Sequence, residues 1–200
     1  MRYNWYPFTL LIIDVQYDML ETAVDFPDIT ENLKKLLLFA RRRQMHIIHI
    51  RSLFEQDMSD WLNWSKLRKT SPLIRGTPGS GIPPFASEIP GEEVLMKHSF
   101  DAFLNTNLLN KLKKHQTQAV LVAGLETSIC VLTTALAAFQ RNYFTCLVTD
   151  CCADDRVAHR NTLDTYKDLI DMHTIDSLLD YNRTIQERIT HLKKISGAYK

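Results

Sequence analysis

The segment from residue 119 to residue 140 constrains the fold of this chain more than any other. It begins with an apolar run at residues 119–123 (AVLVA), stops at Gly124, passes through a polar turn at 126–128 (ETS) and continues with apolar residues three to four apart. A continuous apolar run is typical of a strand buried on both faces, and the later spacing is typical of an amphipathic helix. The segment therefore predicts a buried parallel strand, a tight turn and a helix.

Cys130 lies where this turn meets the helix. If Thr127 is the N-cap, Cys130 is the third helical residue, close to unpaired backbone N–H groups and the positive end of the helix dipole. That position lowers the pKa of a thiol and makes the nucleophilic thiolate available near neutral pH. Cys130 is equally compatible with a small core residue, because free cysteine is among the most buried residue types. The segment alone leaves both interpretations open.

The same alternation of strand and helix runs along the whole chain. Apolar runs predict strands at residues 9–13, 45–50, 93–96, 119–123, 144–148 and 169–174. Helical patterns follow a capping box at Asp28, an N-cap at Asn105, the Cys130 turn, residue 155 and residue 176. Such alternation favours a three-layer α/β/α sandwich built on a parallel sheet. No internal repeat or shift in composition marks a boundary, so we expect residues 1–200 to form a single domain.

Composition narrows the class of protein. The chain is 45% hydrophobic and 24% charged, as expected for a globular protein with a sizeable core. A net charge of +1 gives no electrostatic reason to expect nucleic acid or a membrane as partner. The apolar run at 8–13 is too short for a secretory signal, and four cysteines without zinc-finger spacing favour reduced thiols. We therefore expect a cytoplasmic protein that acts on a small molecule.

Three reactive side chains follow three of the predicted strands: Asp14, Lys97 and Cys130. Taken separately, Asp14 is compatible with a cap and Lys97 with a charge leaving an edge strand. The carboxyl ends of parallel strands meet at one edge of a sheet, so the three together predict a nucleophilic site. Asp14 would accept the thiol proton and Lys97 would position the sulfur. Backbone N–H groups of Glu126 and Cys130 would form an oxyanion hole.

Two other motifs are weaker candidates for a site. Gly76 and Gly81 have the spacing of a phosphate-binding loop, but Ile82 and Pro83 stand where lysine and serine or threonine are required. Cys151 and Cys152 are compatible with a redox pair, although a reduced, packed pair fits better because neither begins a helix. Residues 51–92 otherwise lack periodicity, and a segment of this length is usually functional or holds short helices.

Three segments resemble the signature blocks of the isochorismatase-like cysteine hydrolases. They are LLIIDVQ (10–16), GEEVLMKHSFDAFLNT (91–106) and VAGLETSICV (122–131). The resemblance extends from about residue 9 to about residue 175 and keeps the order Asp, Lys, Cys. It implies that Asp14, Lys97 and Cys130 form a catalytic triad on a six-stranded parallel sheet. It also implies a cis peptide bond between Leu125 and Glu126, and a homodimer or higher homo-oligomer.

Relatives in that family include N-carbamoylsarcosine amidohydrolase, ureidoacrylate amidohydrolase and nicotinamidase, and two departures from their pattern stand out. Many members have a small residue where this chain has Glu126. Its carboxylate is compatible with facing a cationic or hydrogen-bond-donating group of a substrate, but we expect it to point to solvent. Nicotinamidases carry an Asp-x-His metal motif after the second strand, where this chain has Arg51, Ser52 and Leu53. We therefore expect no metal and no other cofactor, and the departure argues against nicotinamidase activity.

The resemblance and Cys130 together predict hydrolysis of a C–N bond in a small amide, carbamoyl or ureido substrate through a thioester acyl-enzyme. Hydrolysis of an isochorismate-type vinyl ether is an alternative within the family. A catalytically silent oligomeric scaffold is an alternative from another class. Candidate substrate-binding residues are Gln16, Trp61, Phe100 and Phe103. We expect residues 51–92 to determine the substrate.

Overall fold

A computed structural model describes residues 4–198 and contains one six-stranded sheet. Every pair of neighbouring strands is parallel, in the order β3-β2-β1-β4-β5-β6. The strands are β1 (Phe8–Ile13), β2 (His46–Ser52), β3 (Glu93–Lys97), β4 (Ala119–Leu125), β5 (Phe144–Ala153) and β6 (Asp171–His173). The prediction of a six-stranded parallel sheet is confirmed.

Helices cover both faces of the sheet, as the alternating pattern predicts. They are α1 (Tyr17–Glu21), α2 (Ile29–Arg42), α3 (Asn63–Arg68), α4 (Leu108–Lys114), α5 (Leu132–Phe139), α6 (Arg156–Tyr166) and α7 (Leu178–Ala198). Across the described part of the chain, no helix combines the length and the apolar character needed to cross a membrane.

Strand β1 shows how the two faces are formed. Its side chains alternate between two hydrophobic clusters, because successive residues of a strand point to opposite faces. Leu10 and Ile12 join the cluster that includes α2 and α7, whereas Leu11 and Ile13 join the cluster that includes α4 and α5. All six residues of β1 are buried. The central strand therefore supplies a rigid support for the residue that follows it, Asp14.

Several element boundaries differ from the sequence-based expectations. Strand β5 runs five residues further than predicted, to Ala153, because Cys152 and Ala153 pair with the end of β4. Helix α4 begins at Leu108, and not after Asn105, since the Thr106 hydroxyl accepts the N–H of Leu108. Helix α2 begins where expected, but the Asp28 side chain makes no capping hydrogen bond.

Gly124 sets the close approach of β4 to the end of β1. Its φ is +125°, in a region that side chains rarely adopt, and a Cβ built at this position would lie 2.0 Å from the carbonyl oxygen of Ile13. Only glycine fits this position. The turn that carries Cys130 can therefore begin directly beside Asp14.

Candidate active site

Parallel strands bring Asp14, Lys97 and Cys130 to one edge of the sheet. The register pairs Ile13 with Gly124, which places Asp14 beside the start of the Cys130 turn. Asp14 has a φ of +48°, in the left-handed region that aspartate adopts more readily than most residues. Lys97 is the last residue of β3. The topology thus brings a carboxylate, an ammonium and a thiol to one place.

Lys97 is the centre of the site. Its side chain is buried, and its ammonium donates to Asp14 Oδ2 at 2.7 Å, to Ser52 Oγ at 2.6 Å and to Cys130 Sγ at 3.3 Å. An ammonium has three N–H donors, so each of them has a partner. The amine is therefore fixed in direction between the carboxylate and the sulfur.

The pKa of Lys97 reflects this enclosure. Burial by itself lowers the pKa of a lysine, because it disfavours the charged form. The negative charge of Asp14, together with the hydrogen bonds to Asp14 and Cys130, outweighs burial and raises the pKa of Lys97 above its ordinary value. Lys97 is therefore an ammonium at neutral pH and acts as a fixed positive charge.

The turn that carries Cys130 is wider than the predicted helix start. Residues Thr127–Val131 form a π-helical turn, in which the carbonyl of Glu126 accepts the N–H groups of both Ile129 and Val131 at 3.2 Å. The predicted N-cap at Thr127 is wrong, because its hydroxyl pairs with His159 Nδ1 at 2.8 Å. Cys130 is the fourth residue of this turn, ahead of α5.

The expectation that Cys130 has a lowered pKa is also wrong. Enclosure of the sulfur by protein atoms is the largest effect and raises the pKa of the thiol, and the negative charge of Asp14 raises it further. The ammonium of Lys97 acts in the opposite direction without reversing the shift. At neutral pH the raised pKa favours the neutral thiol, so Cys130 has to lose its proton before or during the attack on a substrate.

The backbone N–H groups of Glu126 and Cys130, predicted to form the oxyanion hole, lie in this turn. The N–H groups of Ile129 and Val131 donate to Glu126, and the N–H of Ser128 donates to Asp154 at 2.7 Å. None of these bonds uses the N–H of Glu126 or Cys130, the two groups predicted for the oxyanion hole. The peptide bond between Leu125 and Glu126 is cis. The oxyanion role of the two amides stays a prediction.

The Glu126 carboxylate is not a plain solvent-facing group. The residue is half-buried, and burial, followed by the charge of Asp154, raises its pKa. A contact with Thr22 at the end of α1 acts in the opposite direction. Glu126 is therefore only partly open to solvent, and the direction in which its carboxylate points stays a prediction.

Gln16 and Trp61 are held by backbone groups around the site. The Gln16 amide donates to the carbonyls of Ser52 and Ser80 at 3.0 Å each, and its oxygen accepts the N–H of Ser52. The indole N–H of Trp61 donates to the carbonyl of Glu55 at 2.7 Å. These contacts stabilise the segment between β2 and β3. Substrate binding by Gln16 or Trp61 stays a prediction.

The two predicted phenylalanines differ in exposure. Phe100 is 45% exposed, three residues beyond Lys97. Phe103 is buried in the hydrophobic core, with the Arg141 guanidinium 4.6 Å from its ring centroid. Core packing accounts for the contacts of Phe103, whereas Phe100 is available to a ligand. Substrate binding by both stays a prediction.

The sequence did not predict three side-chain contacts. Ser52, at the end of β2, contacts Lys97, and Asp154, just after β5, accepts both the N–H and the hydroxyl of Ser128. Ser52 and Asp154 could have been singled out from the sequence, because both are polar residues at the ends of strands. A third pair lies beyond Lys97: His98 and Asp60 approach to 2.8 Å.

Residues 51–53 stand where nicotinamidases carry their metal motif, but in this chain they make other contacts. Arg51 pairs with Glu88, and Ser52 binds Lys97, so the first two positions hold an ion pair and a hydrogen bond. Within residues 4–198, no three or more His, Cys, Asp or Glu side chains are grouped as metal ligands.

The parallel sheet with helices on both faces defines a protein of the α/β class. Residues 8–172 match the family model of the isochorismatase domain. The chain therefore belongs to the isochorismatase family.

Curated relatives agree with this assignment. The uncharacterized isochorismatase family protein YddQ of Bacillus subtilis (strain 168) is 26% identical over 148 residues, covering 72% of this chain and 76% of YddQ. A probable inactive nicotinamidase of Arabidopsis thaliana is 26% identical over 154 residues, covering 72% and 78%. A maleamate amidohydrolase of Pseudomonas putida is 27% identical over 128 residues, covering 62% and 59%.

Solved structures share the fold. An isochorismatase family protein from Desulfovibrio vulgaris superimposes with a TM-score of 0.79 at 26% identity, covering 88% of this chain and 97% of that one. An N-carbamoylsarcosine amidase from Thermoplasma acidophilum superimposes with a TM-score of 0.73 at 21% identity, covering 84% and 94%. The second likeness concerns the fold alone.

Proposed function

We propose that this isochorismatase-family hydrolase cleaves a C–N bond in a small amide, carbamoyl or ureido substrate, with Cys130 as the nucleophile. One observation carries the proposal: the buried Lys97 ammonium contacts Asp14 Oδ2 at 2.7 Å and Cys130 Sγ at 3.3 Å. A lysine in this place stabilises the negative charge that passes from the carboxylate to the sulfur and back.

The first half-reaction forms a thioester. The Cys130 thiol gives its proton to Asp14 while the sulfur attacks the substrate carbonyl carbon. The carbonyl oxygen becomes an oxyanion, which the N–H groups of Glu126 and Cys130 would receive. The C–N bond then breaks, the nitrogen takes the proton from Asp14, and ammonia or an amine leaves. Because the raised pKa favours the neutral thiol, the proton has to leave the sulfur before or during the attack.

The second half-reaction releases the acid. A water molecule gives a proton to Asp14 and attacks the thioester carbonyl. The C–S bond breaks, the sulfur takes the proton back, and the carboxylic acid or carbamic acid departs. Throughout, Lys97 keeps its positive charge and its place beside the sulfur. No step in this sequence needs a metal or an organic cofactor.

The comparison with maleamate amidohydrolase supports this reaction class. That relative is named for the hydrolysis of an amide, and it matches 62% of this chain. The probable inactive nicotinamidase among the relatives is why turnover itself has to be measured. We further propose that the substrate is a small molecule and that the chain assembles as a homodimer or higher homo-oligomer.

Ammonia release from a panel of small amides, carbamoyl compounds and ureides tests the reaction class, with an isochorismate-type vinyl ether in the same panel. We expect turnover of at least one C–N substrate and a loss of at least about 10³-fold in kcat/KM in Cys130→Ala. Turnover of the vinyl ether alone, retained in Cys130→Ala, would favour the alternative reaction. An absence of turnover across the panel, with Cys130 no more reactive than Cys146, would favour a silent scaffold.

A further inference from the structure

Ser52 is the last residue of β2, and the strand register places it directly beside Lys97. It is buried, and three hydrogen bonds fix its backbone. Its N–H donates to Asp14 Oδ1 at 2.8 Å and to Gln16 Oε1 at 3.0 Å, and its carbonyl accepts from Gln16 Nε2 at 3.0 Å. The hydroxyl of Ser52 therefore leaves the backbone from a defined position.

That hydroxyl accepts the shortest hydrogen bond of the Lys97 ammonium, at 2.6 Å. The other two N–H groups point to Asp14 and Cys130. Three acceptors for three donors hold the amine in one rotational position. Without the hydroxyl, one buried N–H has no partner, and the ammonium is free to turn toward Asp14 and away from the sulfur.

We propose that Ser52 is a positioning residue that acts through Lys97: its hydroxyl takes the third N–H of the ammonium and so directs another N–H at the Cys130 sulfur. The inference rests on the proposed function, because it assigns Lys97 a part in activating Cys130. It goes beyond that function by adding a fourth side chain, from a strand that carries no member of the triad.

The chemistry of a hydroxyl suits this place. A second carboxylate at position 52 would compete with Cys130 for the positive charge of Lys97. A neutral oxygen satisfies the N–H without adding charge, so the full positive charge remains shared between Asp14 and Cys130. A merely structural role for Ser52 predicts a different outcome, since it would change stability without changing the reactivity of the sulfur.

The test follows the alkylation rate of Cys130 by iodoacetamide between pH 6 and 10, measured by peptide mass mapping, which needs no substrate. Five proteins are compared: wild type, Ser52→Ala, Ser52→Thr, Lys97→Met and Thr117→Val. Thr117 is a matched control because its buried hydroxyl pairs at 2.6 Å with that of Thr9, near the start of the central strand β1.

We expect Ser52→Ala to alkylate about tenfold more slowly than wild type at pH 8, with its pH profile moved to higher pH by roughly one unit. Ser52→Thr keeps the hydroxyl and should stay within about threefold of wild type. Thr117→Val should leave the profile unchanged. A wild-type profile in Ser52→Ala, with an altered profile in Lys97→Met, would overturn the role of Ser52 alone.

An unchanged profile in Lys97→Met is a different result, because it would remove Lys97 from the activation of Cys130 and so contradict the proposed function as well. If circular dichroism shows that Ser52→Ala does not fold, Ser52→Val takes its place. Valine and threonine have the same shape and both suit a strand, so they differ only in the hydroxyl. Equal alkylation profiles in the valine and threonine variants would overturn the inference.

Discussion

The four cysteines of this chain differ in ways that only their surroundings explain. Cys146, Cys151 and Cys152 are buried, whereas Cys130 keeps partial exposure at the edge of the sheet. The sequence singled out Cys130 as the residue of the strand–turn–helix segment that meets Asp14 and Lys97. It did not predict the raised pKa, because that depends on atoms that the fold brings around the sulfur.

A first prediction concerns the reactivity of these thiols. In native protein, iodoacetamide should modify Cys130 before the other three cysteines, because their side chains are inaccessible. The rate should keep rising with pH beyond 9, since the pKa of Cys130 is raised and the neutral thiol predominates at pH 7. Mass mapping over a pH series measures both. A rate that levels off near pH 7 would contradict the raised pKa.

A second prediction concerns Asp14. Replacing it in Asp14→Asn keeps the size of the side chain and removes the base, so kcat should fall about 10³- to 10⁴-fold on any substrate found. The near-isosteric amide should preserve the secondary structure measured by circular dichroism. Asp164→Asn is the matched control, because Asp164 is an exposed residue of α6, and this variant should keep full activity. Near-normal turnover in Asp14→Asn would remove Asp14 as the base.

At the scale of elements, the sequence predicted best where a pattern is local. The apolar runs of β1 and β4 and the helical face of α2 predicted those elements to within two residues. The second half of β5 was missed because Thr149 and Asp150 interrupt its apolar run. The sequence did not predict the π-helical turn, because its form depends on partners that are distant in the sequence. His159 binds Thr127 and Asp154 binds Ser128, the two residues that precede Ile129.

A third prediction concerns the ion cluster that joins α2 to the strands. Glu92 accepts from Arg41 at 2.7 Å and lies 2.8 Å from His49 Nε2. Burial raises the pKa of Glu92, but its bonds to Arg41 and His49 outweigh burial and lower the pKa to about 2. An acid with a lowered pKa in the folded state stabilises the fold above its unfolded pKa, and that stability is lost as pH falls.

The unfolding free energy of wild type should therefore decrease as the pH falls from about 4.5 toward 2. Glu92→Gln should lack the contribution of the Glu92 carboxylate to the unfolding free energy. The difference in unfolding free energy between this variant and wild type should therefore shrink at low pH. Urea unfolding at pH 3 and pH 7 measures it. Glu31→Gln is the control, because the Glu31–Lys34 pair is exposed and such pairs contribute little. Equal acid sensitivity in Glu92→Gln and wild type would contradict this account.

At the scale of the whole molecule, the topology explains why three separated sequence blocks form one site. Asp14 follows β1, Lys97 ends β3, Cys130 lies in the turn after β4, and Ser52 fills the place between them from β2. The alternation of strands and helices predicts parallel strands, but it does not predict their order. The contact between Ser52 and Lys97 could not be predicted either, because it depends on the register of β2 against β3.

A fourth prediction concerns assembly. Large apolar side chains remain exposed on a single chain, among them Leu104, Phe139 and Leu169, each between 39% and 53% exposed. Burying such side chains against a second copy is favourable. We predict that sedimentation velocity at micromolar concentration shows a species at least twice the mass of one chain. A single monomeric species at that concentration would contradict the proposed homo-oligomer.

The proposed function depends most on a covalent intermediate at Cys130, which intact-mass spectrometry of acid-quenched reactions measures directly. With a substrate that releases ammonia, wild-type protein should gain the mass of the acyl group, and peptide mapping should locate it on Cys130. Cys130→Ala should show neither the adduct nor the turnover. Turnover that persists in Cys130→Ala, or an acyl group found equally in that variant, would contradict the central claim.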